Sequence, residues 1–121
     1  MNWGLRKAKI EELRKGDLIL VRWFDANEVR GSLQPNHEAP EVFVKDLGIF
    51  LGVSGVKRRH ILVGKDVVEN VTDWGATRIP VELVDSVTLI MTREQIAPSM
   101  PEIRALTRRV QIRRYRRVGR H

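Results

Sequence analysis

The chain has 121 residues, 42% of them hydrophobic and 31% charged, which suits one soluble domain with a single core. It contains no cysteine, which excludes disulfides and cysteine-ligated zinc and fits a reducing compartment. No apolar run approaches the roughly 20 residues that cross a bilayer, so no membrane association is expected. The formal net charge of +7 is not spread evenly. Residues 1–100 hold 14 basic and 14 acidic side chains, whereas residues 101–121 hold eight arginines against one acid, Glu102. The surplus belongs to one segment. Near the start, Arg6, Lys7 and Lys9 are followed by Glu11 and Glu12 and not by an apolar stretch. The expected location is cytoplasmic, or inside a virus particle for a viral source.

Residues 1–15 read as a short amphipathic helix around Leu5, Ala8, Ile10 and Leu13, with Trp3 as an anchor and Gly16 as the break. From Asp17 the texture changes to β-branched and aromatic residues, and Ile19, Val21 and Trp23 alternate with Leu20, Arg22 and Phe24. Asn27, Gly31, Pro35, Asn36 and Pro40 mark a long loop. Strand character resumes at Glu41 and runs to about Val53, with Gly48 and Gly52 expected on one face where the strand bends. Ser54 to Arg59 is a turn, and His60 onwards is the next strand. A turn at 70–75, a short strand ending in Ile79-Pro80, one helical turn at Val81 to Asp85 and a last strand to Met91 follow. Ser99, Pro101 and Glu102 form a helix start, and Ile103, Leu106 and Val110 make a docking stripe.

Five short strands joined mostly by turns favour an antiparallel barrel over a parallel βαβ arrangement. Two stretches carry a resemblance. Leu13 to Val21 (LRKGDLILV) resembles the first barrel strand of SH3-like folds, and Ala76 to Val87 (ATRIPVELVDSV) resembles their characteristic exit. The resemblance implies a mainly β fold, an SH3-like antiparallel five-stranded barrel with short helices at both ends. It divides the chain into a barrel with its N-terminal helix (1–98) and an Arg-rich C-terminal helix and tail (99–121). A weaker similarity links Leu20 to Leu33 and Ile61 to Val68 to the two signatures of Sm-like RNA-binding proteins, with Gly31 and Gly64 in place. The Asp-x-x-Met-Asn that lines the RNA pocket of that family is absent, so its uridine pocket does not carry over.

Guanidinium groups pair bidentately with phosphate, so the arginine run points to nucleic acid, DNA or RNA, with steep salt dependence and little sequence preference. The residues expected to carry it are Arg108, Arg109, Arg113, Arg114, Arg116, Arg117 and Arg120, with Tyr115 as a stacking group. Lys57, Arg58 and Arg59, next to His60, offer a second basic contact on a turn, otherwise an ordinary solvated tip. Trp23, Phe24 and Trp74 either form an aromatic surface patch or fill the core, and core is the better expectation for each. His37, Glu38, Asp25 and Asp46 are the only acid-base or metal candidates, and His37 lacks the i, i+4 partner of a zincin. No nucleophile elbow or phosphate loop occurs. The expectation is a non-enzymatic binder without catalytic residues, metal or cofactor. The alternative is a structural or adaptor module that uses the barrel surface for a protein partner or for homo-oligomerisation.

Overall fold

The structure is a computed structural model that describes residues 5–25, 42–69, 73–107 and 111–114. Seven strands are present: β1 (Arg6–Ala8), β2 (Leu18–Phe24), β3 (Phe43–Ser54), β4 (His60–Val68), β5 (Asp73–Pro80), β6 (Val84–Met91) and β7 (Gln111–Arg114). They form one mainly antiparallel sheet in the order β1-β6-β2-β3-β4-β5-β7, and only the β5–β7 pair is parallel. The hydrogen-bonded order is open at β1 and β7, so the strands do not close into the expected five-stranded barrel.

The alternation in β2 sorts its side chains as the period of two requires. Ile19, Val21 and Trp23 are buried, while Leu20, Arg22 and Phe24 are half-buried on the other face. Ile19, Val21 and Trp23 join Phe50, Ile61, Val63, Ile79, Val87 and Leu89 in a core built on one face of β2 to β6. In β3 the pairing slips between Phe50 and Gly52, which leaves Leu51 as an extra residue. The bulge reverses the alternation. Gly48 pairs with Ile19 and faces the first core, whereas Gly52 pairs with Leu62 on the opposite face. The two glycines therefore do not share a face.

That opposite face carries a second core. Ile49, Leu51, Trp74 and Ala76 of the sheet pack with Ile103 and Leu106, supported by Ile96, Ala97 and Met100. The C-terminal residues reach this face through a short helix α1 (Arg93–Ile96) and a 3-10 segment, Pro101–Thr107. Thr92 caps α1: its hydroxyl accepts from the Gln95 amide at 3.3 Å while Gln95 Oε1 accepts from the Thr92 amide at 2.8 Å. The docking stripe is thus present at Ile103 and Leu106, on 3-10 geometry; Val110 lies outside the described residues.

The N-terminal helix is corrected. Arg6–Ala8 is a strand that pairs antiparallel with β6, and a single 3-10 turn, Ile10–Glu12, follows it. A helix of so few residues is marginal by itself, whereas the free edge of β6 supplies backbone partners directly. The helical turn after Pro80 is a 3-10 turn, Val81–Leu83, as its position before the last antiparallel strand suggested. The long loop, 26–41, and residues 1–4, 70–72, 108–110 and 115–121 lie outside the described residues. Among the described residues no helix is long and apolar enough to cross a membrane.

Candidate nucleic-acid interface

The β3–β4 turn is set by Gly55, whose φ of +93° is open to glycine and strained for other residues. A Cβ there would stand 2.1 Å from the Arg58 carbonyl oxygen, so the chain can double back this tightly only without a side chain. The turn projects Lys57, Arg58 and Arg59 into solvent beside Val56, which is 95% exposed. The Arg59 carbonyl accepts from the Val81 amide at 2.9 Å, which ties the turn to the 3-10 segment after β5. His60 Nδ1 lies 3.2 Å from the Arg58 carbonyl. Between the two segments lies a concavity of about 310 Å³ lined by Lys57, Arg58, Arg59, His60, Pro80, Val81 and Glu82.

Among the described residues these three cations have no acidic partner within 4.0 Å. Several cations elsewhere are engaged. Arg22 pairs with Asp85 at 2.6 Å and Lys65 with Asp46 at 2.6 Å, while Arg14 and Arg93 both reach Glu94. The Arg14 hydrogen bond holds the Glu94 carboxyl down to about 2, and the same contact raises the Arg14 guanidinium.

The C-terminal segment is fixed by a second set of residues around the start of β2. Asp17 is buried, and its carboxylate accepts from the Arg14 amide and from the Arg93 amide, both at 2.9 Å. One side chain therefore joins the chain ahead of β2 to the first residue of α1. Gly16 lets Ile103 come close, since a Cβ at Gly16 would meet Ile103 Cγ2 at 2.7 Å and Arg93 Cβ at 2.9 Å. Asp17 stood in the sequence as the acid before an apolar strand, and nothing local marked it as a linker across 76 positions.

From this anchor the chain runs to β7, which pairs in parallel with β5: Gln111 opposite Asp73, Ile112 opposite Trp74, Arg113 opposite Gly75 and Arg114 opposite Ala76. The direction matters. Because β7 is parallel to β5, its Arg114 end points the same way as β5, whose Pro80 is registered with His60 at the basic turn. Four residue steps lead from Ala76 to Pro80, about 13 Å at the rise of a strand. Midway, Arg78 is exposed and registered with Leu62. Arg78 is a candidate that sequence reasoning missed; it looked like one charge in a short strand, and only the register brings it into line. Residues 111–114, within the segment expected as helix and tail, form a strand on the edge of the sheet.

Of the other expected site residues, Arg108, Arg109, Tyr115, Arg116, Arg117 and Arg120 lie outside the described residues. The aromatics are now placed. Trp23 and Trp74 are buried, and Trp23 Nε1 donates to Asp46 at 2.7 Å. Trp74 Nε1 is buried with no acceptor among the described residues. Phe24 is half-buried against Phe43, ring centroids 5.7 Å apart, and Arg22 sits 3.8 Å over the Phe43 ring. Asp25 is buried and Asp46 binds Trp23 and Lys65; His37 and Glu38 lie outside the described residues. No group of three metal-ligating side chains occurs among the described residues.

No family model matches the chain, and no curated protein or solved structure is significantly similar to it. Its own residues carry the argument.

Proposed function

We propose that the protein binds nucleic acid through phosphate contacts along the β5 edge, from Arg113 and Arg114 past Arg78 to Lys57, Arg58 and Arg59. The observation that carries this reading is the parallel β5–β7 register, which aims the arginine-bearing strand at the basic turn. Cations without acidic partners, as Lys57, Arg58 and Arg59 are among the described residues, suit a polyanion, because no internal ion pair has to break before phosphate is bound. The remaining arginines, Arg104, Arg108, Arg109, Arg116, Arg117 and Arg120, add to the same segment's charge. Contacts of this kind position a backbone without reading sequence.

The scaffold we propose is SH3-like, supported by β5 ending in Ile79-Pro80, the 3-10 turn after it and the closing strand β6. A second reading, a protein-contact module, is favoured by one observation: Phe43 and Leu47, 39% and 54% exposed, lie on the same face of β3 as Ile49 and Leu51 but outside the second core. Fluorescence anisotropy with single-stranded DNA, duplex DNA and RNA between about 50 and 200 mM salt separates the two. Nucleic-acid binding that weakens steeply with salt supports the first reading. Binding to none of the three, with self-association lost on Leu47→Asp, supports the second.

A further inference from the structure

Glu82 lines the concavity at the basic turn, yet among the described residues it pairs with none of the three cations that share it. Backbone contacts fix the two segments against each other. Val81 donates to the Arg59 carbonyl at 2.9 Å, Pro80 is registered with His60, and the 3-10 turn Val81–Leu83 fixes the carboxylate-bearing residue. The result is a hollow of about 310 Å³ lined by Lys57, Arg58, Arg59 and His60 from the turn and by Pro80, Val81 and Glu82 from the end of β5 and the 3-10 turn after it.

A simple anion would use the cations and be repelled by Glu82, and a simple cation would meet the reverse. The hollow is complementary to a ligand with an anionic end, a flat body and N–H donors at the far end. A nucleotide unit has this layout. Its phosphate matches Lys57, Arg58 and Arg59, its base can rest on Pro80 and Val81, and the imidazole of His60 is suited to stacking. The carboxylate then selects among bases. Guanine alone presents two adjacent donors on its pairing edge, N1–H and the 2-amino group, to the two oxygens of a carboxylate. Adenine and cytosine place a ring-nitrogen acceptor beside their amino group, and thymine and uracil flank their single N–H with carbonyls. Each of these would turn a lone pair toward the negative charge.

We propose that this hollow is a subsite for one unpaired guanine nucleotide, with Glu82 as the base-selecting residue. The inference rests on the nucleic-acid reading above and adds to it a base preference and a requirement for unpaired bases. A guanine edge engaged in a duplex is not available to a carboxylate, so single strands, loops or ends are the substrates.

The test is anisotropy with the full chain and short oligo(dT) probes that carry one central guanine, adenine or cytosine, beside plain oligo(dT). The guanine probe should bind about tenfold more tightly than the other three, the scale of one bidentate base contact. Glu82→Ala should bring the guanine probe to within about twofold of plain oligo(dT) and leave oligo(dT) binding as tight or slightly tighter. Glu82→Gln, which keeps the shape but removes the charge, should also lose the preference. Equal binding of all four probes by the unaltered chain, a preference for cytosine or adenine, or a guanine preference that survives both substitutions would overturn the subsite while leaving salt-sensitive backbone binding in place. Failure of every probe to bind at low salt would instead remove the reading beneath it, and the subsite with it.

Discussion

At the C-terminal anchor, Arg14 and Arg93 are drawn in against Glu94 and the backbone around Asp17, whereas Lys57, Arg58 and Arg59 at the β3–β4 turn have no acidic partner within 4.0 Å among the described residues. Both regions are basic, and both depend on a glycine of positive φ, Gly16 at the anchor and Gly55 at the turn. They differ in what the glycine admits. At Gly16 the space is taken by Ile103 from the C-terminal segment, and at Gly55 it lets the chain fold back and push cations outward. Charge that is paired internally holds the fold together, and charge left unpaired on a rigid turn is available for a ligand.

The largest effects should come from breaking the anchor. Leu106→Ala or Ile103→Ala removes a fully buried side chain from the second core, which should cost about 2–5 kcal/mol and appear as a large drop in thermal midpoint. Asp17→Ala leaves the Arg14 and Arg93 amides without their acceptor and should cost about 1.5–3 kcal/mol in urea titrations. Neither change touches the basic turn, so the salt dependence of nucleic-acid binding by the folded fraction should stay as it was.

Changes at the turn should do the opposite. Replacing Lys57, Arg58 and Arg59 together by alanine should move stability by no more than about 0.5 kcal/mol, since these side chains make no internal ion pair among the described residues. Binding should weaken.

The smallest effect concerns Glu94. Its folded-state pKa lies near 2, below the ordinary 4.5, so the Arg14–Glu94 contact stabilises the fold above the ordinary value and that contribution is lost as pH falls toward 2. Glu94→Gln should therefore lower the thermal midpoint slightly near neutral pH, and the gap from the unaltered chain should close between pH 4.5 and 2. A gap that persists unchanged at the acid end would show that the contact is not electrostatic.

The strands β2 to β6 were legible because their information is local, alternation in Ile19 to Trp23, a Gly55 turn, Pro80 at a strand end, although Asp73 to Gly75, expected as turn, belong to β5 and Val84 and Asp85, expected as helical turn, to β6. The two ends of the chain were not. Arg6–Ala8 and Gln111–Arg114 carry little strand signal of their own and become strands by pairing with the edges of β6 and β5, residues far away in sequence. The same limit applies to the site. Lys57, Arg58 and Arg59 could be picked out as a basic cluster on a turn, but Arg78 joins them only through register, and Glu82 only through the hydrogen bond from Val81 to Arg59. Asp17 shows the matter most clearly, since a buried carboxylate that accepts from Arg14 and Arg93 cannot be read from the acid before a strand.

The proposed function requires that the unpaired cations at the turn contact phosphate. The direct measurement is the slope of log Kobs against log salt for oligo(dT), compared between the full chain and its Lys57→Ala, Arg58→Ala, Arg59→Ala triple variant. Each phosphate contact on a single strand contributes about 0.7 to the slope, so loss of three should flatten it by about 2. An unchanged slope in a variant that keeps its thermal midpoint would contradict the account.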